Sequence, residues 1–303
     1  LVEKQHTGPD QQFRADGEEK LLQSAWNFIW EHNMLRGCHP WTVGDATWSM
    51  YDYNRGSELN ICASGASDIL RLPKFTYYFF QSQRSPSPAH PHPAIENGPM
   101  VYIANYWTPR PSPAKVVVFS NCDEVELLVN GKSVARRRAD DGPDSPYGDF
   151  LKGGNPFDGG NARNLTHPPF TFNGLKWEKG QLKAVGYIEG KVQAEMEVRT
   201  PETPRQLGIE VDFSGKALKA DGADVVFVYV RLKDKNGITV GDATREVQLE
   251  VTGEGRVISP ASVRAEAGIA AFLVQASQKA GEVELRVRSK GMKEDRLRFT
   301  TVQ

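Results

Sequence analysis

The sequence predicts a multidomain, mainly β protein in which an opening helix, strand and helix, in β/α-barrel order, precede two β-sandwiches. Two observations carry that prediction. Up to about residue 85 the apolar residues recur at helical spacing around one strand-like run, whereas from Met100 onward the periodicity is two. Proline-rich stretches, RSPSPAHPHPAIENGP from Arg84 and TPETPR from Thr200, fall between the three patterns. The chain has 303 residues, 39% hydrophobic and 25% charged, so it is longer than one typical domain and its composition favours packed domains over disorder.

Residues 1 to 15 are polar and irregular, with a turn at Gly8-Pro9. A helix is then expected from Asp16, whose side chain can cap it with Glu19 completing the box. Leu22, Trp26 and Ile29 recur on one face through about Leu35. Trp26, Phe28 and Trp30 are better explained by burial than by a cofactor pocket, because such aromatic stripes normally face a sheet. Gly37 ends the helix, Pro40 bars its return, and a strand follows from about Val43 to Tyr53. The second helix is broken. Ser67 to Leu70 form one turn, Pro73 supplies a first helical position, and Phe75 to Gln81 continue it. In the linker, His90 and His92 alternate with prolines and have no local Cys or Asp partner, so no metal site is expected there.

The β region reads as short alternating segments: VYIANYW, KVVVFS, EVELLVNGKSVA and LKAVGYIEGKVQAEMEV, with a hairpin at Asn130-Gly131. Arg136-Arg137-Arg138 is expected in a solvated turn offset by Asp140 and Asp141. Asp140 to Pro169 reads as a long loop that either reaches toward a functional site or decorates a sheet edge. Beyond the second boundary, LGIEVDF, DVVFVYVRLKDKNGITV, EVQLEVTG, IAAFLVQA and EVELRVRS repeat the all-β pattern. Asn236-Gly237 is the strongest local turn signal there, and Glu282 to Arg288 alternate cleanly. That last region has no titratable cluster and reads as a spacer.

Charge narrows the partners. A formal net charge of −1 without a long basic patch argues against nucleic acid. No stretch approaches the roughly 18 apolar residues of a membrane span, and no signal peptide opens the chain. Cys38, Cys62 and Cys122 are too few for a disulfide framework, and no cofactor is implied.

The chemistry concentrates in HPWTVGDATWSMYDYNRG. Val43, Ala46, Trp48, Met50 and Tyr51 share that run with Asp45, Asp52, Asn54 and Arg55, as in a strand that leaves a core at a polar mouth. In a β/α barrel, binding groups sit where strands end, which would place Asp52, Asn54 and Arg55 there. Trp48 would offer a flat ring to the C–H face of a sugar, or else fill the core. Asp45 could cap the strand start.

TWSMYDYNRG followed by ASDILRLPKFTYYFFQSQRSP closely resembles the last barrel strand and helix of glycoside hydrolase family 2, the β-galactosidase and β-glucuronidase family. Trp48 and Asp52 keep that family's four-residue spacing. Arg71, Pro73, Lys74, Tyr77 and Tyr78 match its R-x-P-K-x-x-Y-Y helix. KVVVFSNCDEVELLVNGKSV and GQLKAVGYIEGKVQAEMEVRTP resemble the immunoglobulin-like domains that follow the barrel, and the last region resembles bacterial immunoglobulin-like modules. The resemblance therefore implies the end of a (β/α)8 barrel over residues 1–85, a linker over 86–99, and immunoglobulin-like sandwiches over 100–203 and 204–303.

It also implies retaining glycoside hydrolysis by two carboxyl groups, roughly 5 to 5.5 Å apart. No catalytic residue can be assigned. Glu3 stands near the family's nucleophile position without its context, Glu31 lies on the helix and Glu58 past the strand. The expected substrate-binding set is Trp48, Asp52, Asn54 and Arg55, with no metal. The Asn-x-Lys pair of uronate-cleaving members is absent from Asn54 to Ser67, which favours a neutral β-galactoside. The implied partners are an oligosaccharide or polysaccharide and an amino-terminal part of the same enzyme, in a periplasmic or secreted bacterial setting. A non-catalytic carbohydrate-binding or adhesive module is the alternative, for which Tyr106, Trp107, Tyr147 and Trp177 are the candidate aromatics.

Overall fold

The structure is a computed structural model that describes residues 13–54, 61–87, 97–109, 115–140, 162 and 164–303. The chain divides into two compact units, Leu1–Thr200 and Pro201–Gln303. Both are mainly β, and the two helices belong to the first.

Helix α1 spans Glu18–Gly37 and starts two residues after the expected cap. Asp16 closes a short 3₁₀ turn, and its carboxylate accepts the Phe13 N–H at 2.8 Å. Gly17, at φ 91°, takes the N-cap position instead, a conformation that glycine adopts without a steric penalty. Helix α2 is Phe75–Ser82, with Lys74 at its N-cap. Pro73 therefore stands just outside the helix rather than at its first position. Leu21, Ala25, Trp26, Ile29, Phe75 and Phe79 form one buried cluster with Ala104, Val117 and Phe119. Trp26 and Phe79, which residues 1–85 alone would expose, are buried by the following sheet.

The expected strand from Val43 to Tyr53 does not form. Its ordered remnant is β1 (Tyr53–Asn54), antiparallel to β2 (Ile61–Cys62), plus an isolated parallel bridge from Tyr51 to Ser67. A barrel strand is held by parallel neighbours on both sides, and among the described residues the parallel pairing of this run is confined to the single bridge with Ser67. Trp41, Val43, Trp48, Met50 and Tyr51 are accordingly exposed.

In the first unit, one sheet orders β3 (Val101–Ile103), β4 (Lys115–Ser120) and β7 (Phe170–Asn173). The other orders β6 (Lys132–Arg138), β5 (Glu124–Val129), β8 (Gln181–Ile188) and β9 (Lys191–Arg199). Val116 and Val118 of β4 face the core between these sheets, whereas Val117 and Phe119 face the helices. Burial on both faces explains why this strand reads as an unbroken apolar run rather than an alternation. Asn130 and Gly131 carry φ of 50° and 80°, as a two-residue hairpin of type I′ requires.

One expectation is corrected here. Arg136 to Arg138 lie in β6 rather than in a turn, because paired strand positions give each arginine a cross-strand partner. Arg136 meets Glu124 and lies over the Tyr187 ring at 3.7 Å, and Arg137 reaches Asp140 at 3.0 Å. β7 begins immediately after the long loop. The middle of that loop, residues 141–161, lies outside the described residues, as do Glu3, Asp141, His90, His92 and Tyr147. Its end docks on the helices: Asn164 N donates to Asn33 Oδ1 at 3.0 Å, and Gln83 Nε2 donates to the His167 carbonyl at 2.7 Å.

The second unit packs two four-stranded sheets. One orders β10 (Gln206–Asp212), β11 (Val225–Lys233), β15 (Ile269–Ala276) and β13 (Gly255–Val257). The other orders β14 (Ser262–Arg264), β12 (Glu246–Gly253), β16 (Glu282–Arg288) and β17 (Asp295–Thr300). Val228, Val230 and Phe272 from the first meet Val247, Leu285 and Val287 from the second in one core. At Asn236-Gly237 the chain turns back for a single bridge, Lys233 to Thr239. There Asp234 accepts the N–H groups of Asn236 and Ile238, so a side-chain-held turn replaces a two-stranded hairpin.

Candidate functional site

Three short segments of the first unit meet at one point. Backbone bonds run from Asp52 N to Ser67 O (3.0 Å), from Ser67 N to Met50 O (2.9 Å), from Ala66 N to Ser49 O (3.1 Å) and from Lys74 N to Ala66 O (3.0 Å). Gly65 lies in this crossing. A Cβ there would stand 2.2 Å from Asp52 N and 2.4 Å from Ser67 O, so only glycine fits.

Inside the crossing, Lys74 Nζ donates to Asp52 Oδ1 at 2.7 Å and to the Ala63 carbonyl at 3.1 Å. Gly65 N also donates to Asp52 Oδ1, at 2.8 Å. Both side chains are sealed, at 0% exposure for Lys74 and 1% for Asp52. Burial raises the Asp52 carboxyl above its ordinary range, and the Lys74 ammonium pulls against that rise. Lys74 is lowered by its own burial, against the attraction of Asp52. Below them, Asp68 ties its own turn by accepting the Leu70 and Leu72 N–H groups, and Arg14 Nε reaches it at 2.6 Å. An ionic column thus links the start of α1, the 66–72 turn and the end of the 49–54 segment.

Trp48 stands on the outer side of this crossing. Its indole is 75% exposed, and Nε1 donates to the Tyr53 hydroxyl at 3.0 Å. The two rings meet edge to face, with centroids 6.0 Å apart and planes at 86°. Asp45 pairs with His32 Nδ1 at 2.5 Å, so it fastens the 38–50 segment to α1 and caps no strand. The His32 ring packs edge-on against Phe79 and Phe80.

The four residues expected to bind sugar are therefore placed differently. Trp48 offers an open ring, Asp52 is held inside by Lys74, and Asn54 is exposed on β1. Arg55 and Glu58 lie outside the described residues. Glu31, on α1, has its carboxyl raised by burial and by Asp45. Sequence reasoning missed Tyr53, Gly65, His32 and Arg14, and met Lys74 only as a motif letter. Their roles depend on contacts 5 to 54 residues away in the chain. Among the described residues, no three His, Cys, Asp or Glu side chains gather as a metal site would require, and no helix is long and apolar enough to cross a membrane.

The aromatics proposed for a binding module are mostly occupied. Trp107 is fully buried, and Trp177 packs on the same core while its Nε1 donates to the Trp107 carbonyl at 3.1 Å. Tyr106 is 37% exposed, and its N–H is bound by Glu18.

Comparison with known proteins places these observations in a family. Residues 209–298 match the glycoside hydrolase family 2 C-terminal domain 5, and residues 112–194 match a domain of unknown function (DUF4982). A beta-galactosidase of Thermoanaerobacter pseudethanolicus is 35% identical over 266 residues, covering 82% of this chain and 32% of that protein. A beta-galactosidase of Rhizobium meliloti is 26% identical over 270 residues, covering 84% of this chain and 32% of that protein. The solved structure of a beta-glucuronidase from glycoside hydrolase family 2 superposes with a TM-score of 0.70 at 20% identity, over 99% of this chain and 30% of that one, a likeness of fold. The chain spans about a third of the length of the curated relatives it matches.

Proposed function

We propose, for a chain that belongs to glycoside hydrolase family 2, that it forms the carboxyl-terminal part of a retaining β-glycosidase acting on neutral β-galactosides in carbohydrate catabolism. In this reading, residues up to about 85 furnish the end of the catalytic barrel, and the two sandwiches are accessory, immunoglobulin-like domains. Trp48 is the floor on which a sugar ring stacks, and the catalytic glutamates come from barrel segments outside the described residues. The Asp52–Lys74 pair does not touch sugar. It anchors the segment that ends at Asn54, and Asn54 and Arg55 are the polar residues assigned to substrate binding in this reading.

The observation that carries this reading is the open Trp48 ring directly beside a sealed ion pair. An indole left facing outward on a locked backbone suits a flat, partly apolar ligand better than it suits a core. The beta-galactosidase names of the two relatives above and the missing Asn-x-Lys pair support a galactoside over a uronide, whereas other relatives carry beta-glucuronidase names. A periplasmic or secreted bacterial setting goes with extracellular glycans as substrate.

The test is equilibrium binding of methyl β-D-galactopyranoside to the chain and to Trp48→Ala, beside hydrolysis of a chromogenic β-galactoside by preparations of known intact mass. Loss of about tenfold in affinity on Trp48→Ala supports the site. Equal binding by both proteins, or a preference for the glucuronide, sinks it.

A further inference from the structure

We infer that Tyr53 completes the sugar subsite begun by Trp48: it fixes the plane of the indole and donates its own hydroxyl proton to an oxygen at the edge of the bound sugar. This rests on the reading of Trp48 as a sugar floor. The roles of the two polar atoms follow from their chemistry. An indole N–H can only donate, so in the 3.0 Å contact between Trp48 Nε1 and Tyr53 Oη the tyrosine oxygen is the acceptor. The phenolic proton is therefore directed elsewhere, and no acceptor for it stands among the described residues. Tyr53 is half-buried, whereas the indole it holds is 75% exposed.

The geometry forms a corner. With the ring planes at 86°, a sugar lying flat on the indole meets the tyrosine at its edge, where the hydroxyl groups of a pyranose project. Tyr53 is itself fastened: it pairs with Cys62 across β1 and β2, and it follows Asp52, which Lys74 holds. The corner thus stands on the locked crossing, although both of its faces belong to an exposed segment. A tyrosine so placed selects for a hydroxyl at one edge, a discrimination a stacking ring alone does not make.

Two readouts on the whole chain separate the parts of this inference. The first is solvent exchange of the Trp48 indole N–H, followed by nitrogen-edited NMR and assigned by its disappearance in Trp48→Phe. Tyr53→Phe keeps the ring and removes the acceptor, and the exchange is expected to quicken severalfold. The second is binding of methyl β-D-galactopyranoside and its singly deoxygenated analogues. Tyr53→Phe should weaken the parent sugar by about threefold to tenfold and leave unchanged the affinity of the one analogue that lacks the contacted hydroxyl. Unchanged indole exchange overturns the positioning role. Equal weakening of all analogues overturns the donor role. If exchange quickens but neither the native chain nor Tyr53→Phe binds any galactoside, the donor role falls with the Trp48 reading, while the positioning role stands.

Discussion

Lys74 Nζ stands 2.7 Å from Asp52 Oδ1 with both side chains sealed from solvent, and 22 residues of chain separate them. Such a pair gains little over an apolar pair of the same shape, because two desolvation costs offset the attraction. Its effect lies in what happens when one half is lost. The survivor is then a buried charge without a counterion.

Lys74→Met should therefore destabilise the first unit by about 3 to 5 kcal/mol, and Asp52→Asn by less, since the amide can still accept from Gly65 N. Combining Asp52→Leu with Lys74→Met should recover most of the loss. Urea unfolding of the native protein, Lys74→Met, Asp52→Leu and the double variant checks this, and additive losses in the double variant would contradict it.

Gly65→Ala should be among the most damaging single-atom additions in the chain, at about 3 kcal/mol, because its Cβ would fall 2.2 to 2.4 Å from three backbone atoms. Gly44→Ala, with nothing within 4 Å of the added carbon, should stay within about 0.5 kcal/mol. A thermal melt of each variant compares them directly.

Glu18 sets a pH dependence. Its carboxyl is buried at the start of α1, accepts the Tyr106 N–H at 2.5 Å, and is pushed up by desolvation to about 7 from 4.5. The folded protein then holds the proton more tightly than the unfolded chain. The stabilisation is fully present below pH 4.5 and is lost as pH rises through 7, by about 3 kcal/mol in all. Glu18→Gln, which cannot ionise, should flatten that part of the stability profile between pH 5 and 8 in urea titrations. A profile identical to the native protein's would refute the assignment.

Asn164→Ala removes the side-chain bond from Nδ2 to the Asn33 carbonyl (3.2 Å) and keeps the backbone bond from its N–H to Asn33 Oδ1. A loss of about 1 kcal/mol is expected. Amide exchange should quicken in residues 164–167 and in the last turns of α1 while β8 stays protected. Uniform quickening would mean that the docked segment is no independent fastening.

Most of the fold was legible because its signals are local. KVVVFS, EVELLV and EVELRVR each appear as strands at the expected residues, and Asn130-Gly131 turns as its φ angles require. The chain's own periodicity therefore determined the two β regions and the helices, and the ordered letters from Trp48 to Tyr78 determined the family. Side-chain contact decided the rest. Asp52 and Asn54 are alike in sequence as polar residues after an apolar run, yet one is sealed against Lys74 and the other faces outward. The 43–50 run has a strand's composition but no strand, since a parallel strand needs hydrogen-bonding neighbours that pattern alone cannot supply. Tyr53 acquires a role only because folding brings its hydroxyl to the Trp48 indole. Periodicity is written in nearest neighbours, whereas an ion pair across 22 residues or a ring corner exists only once the backbone has crossed itself.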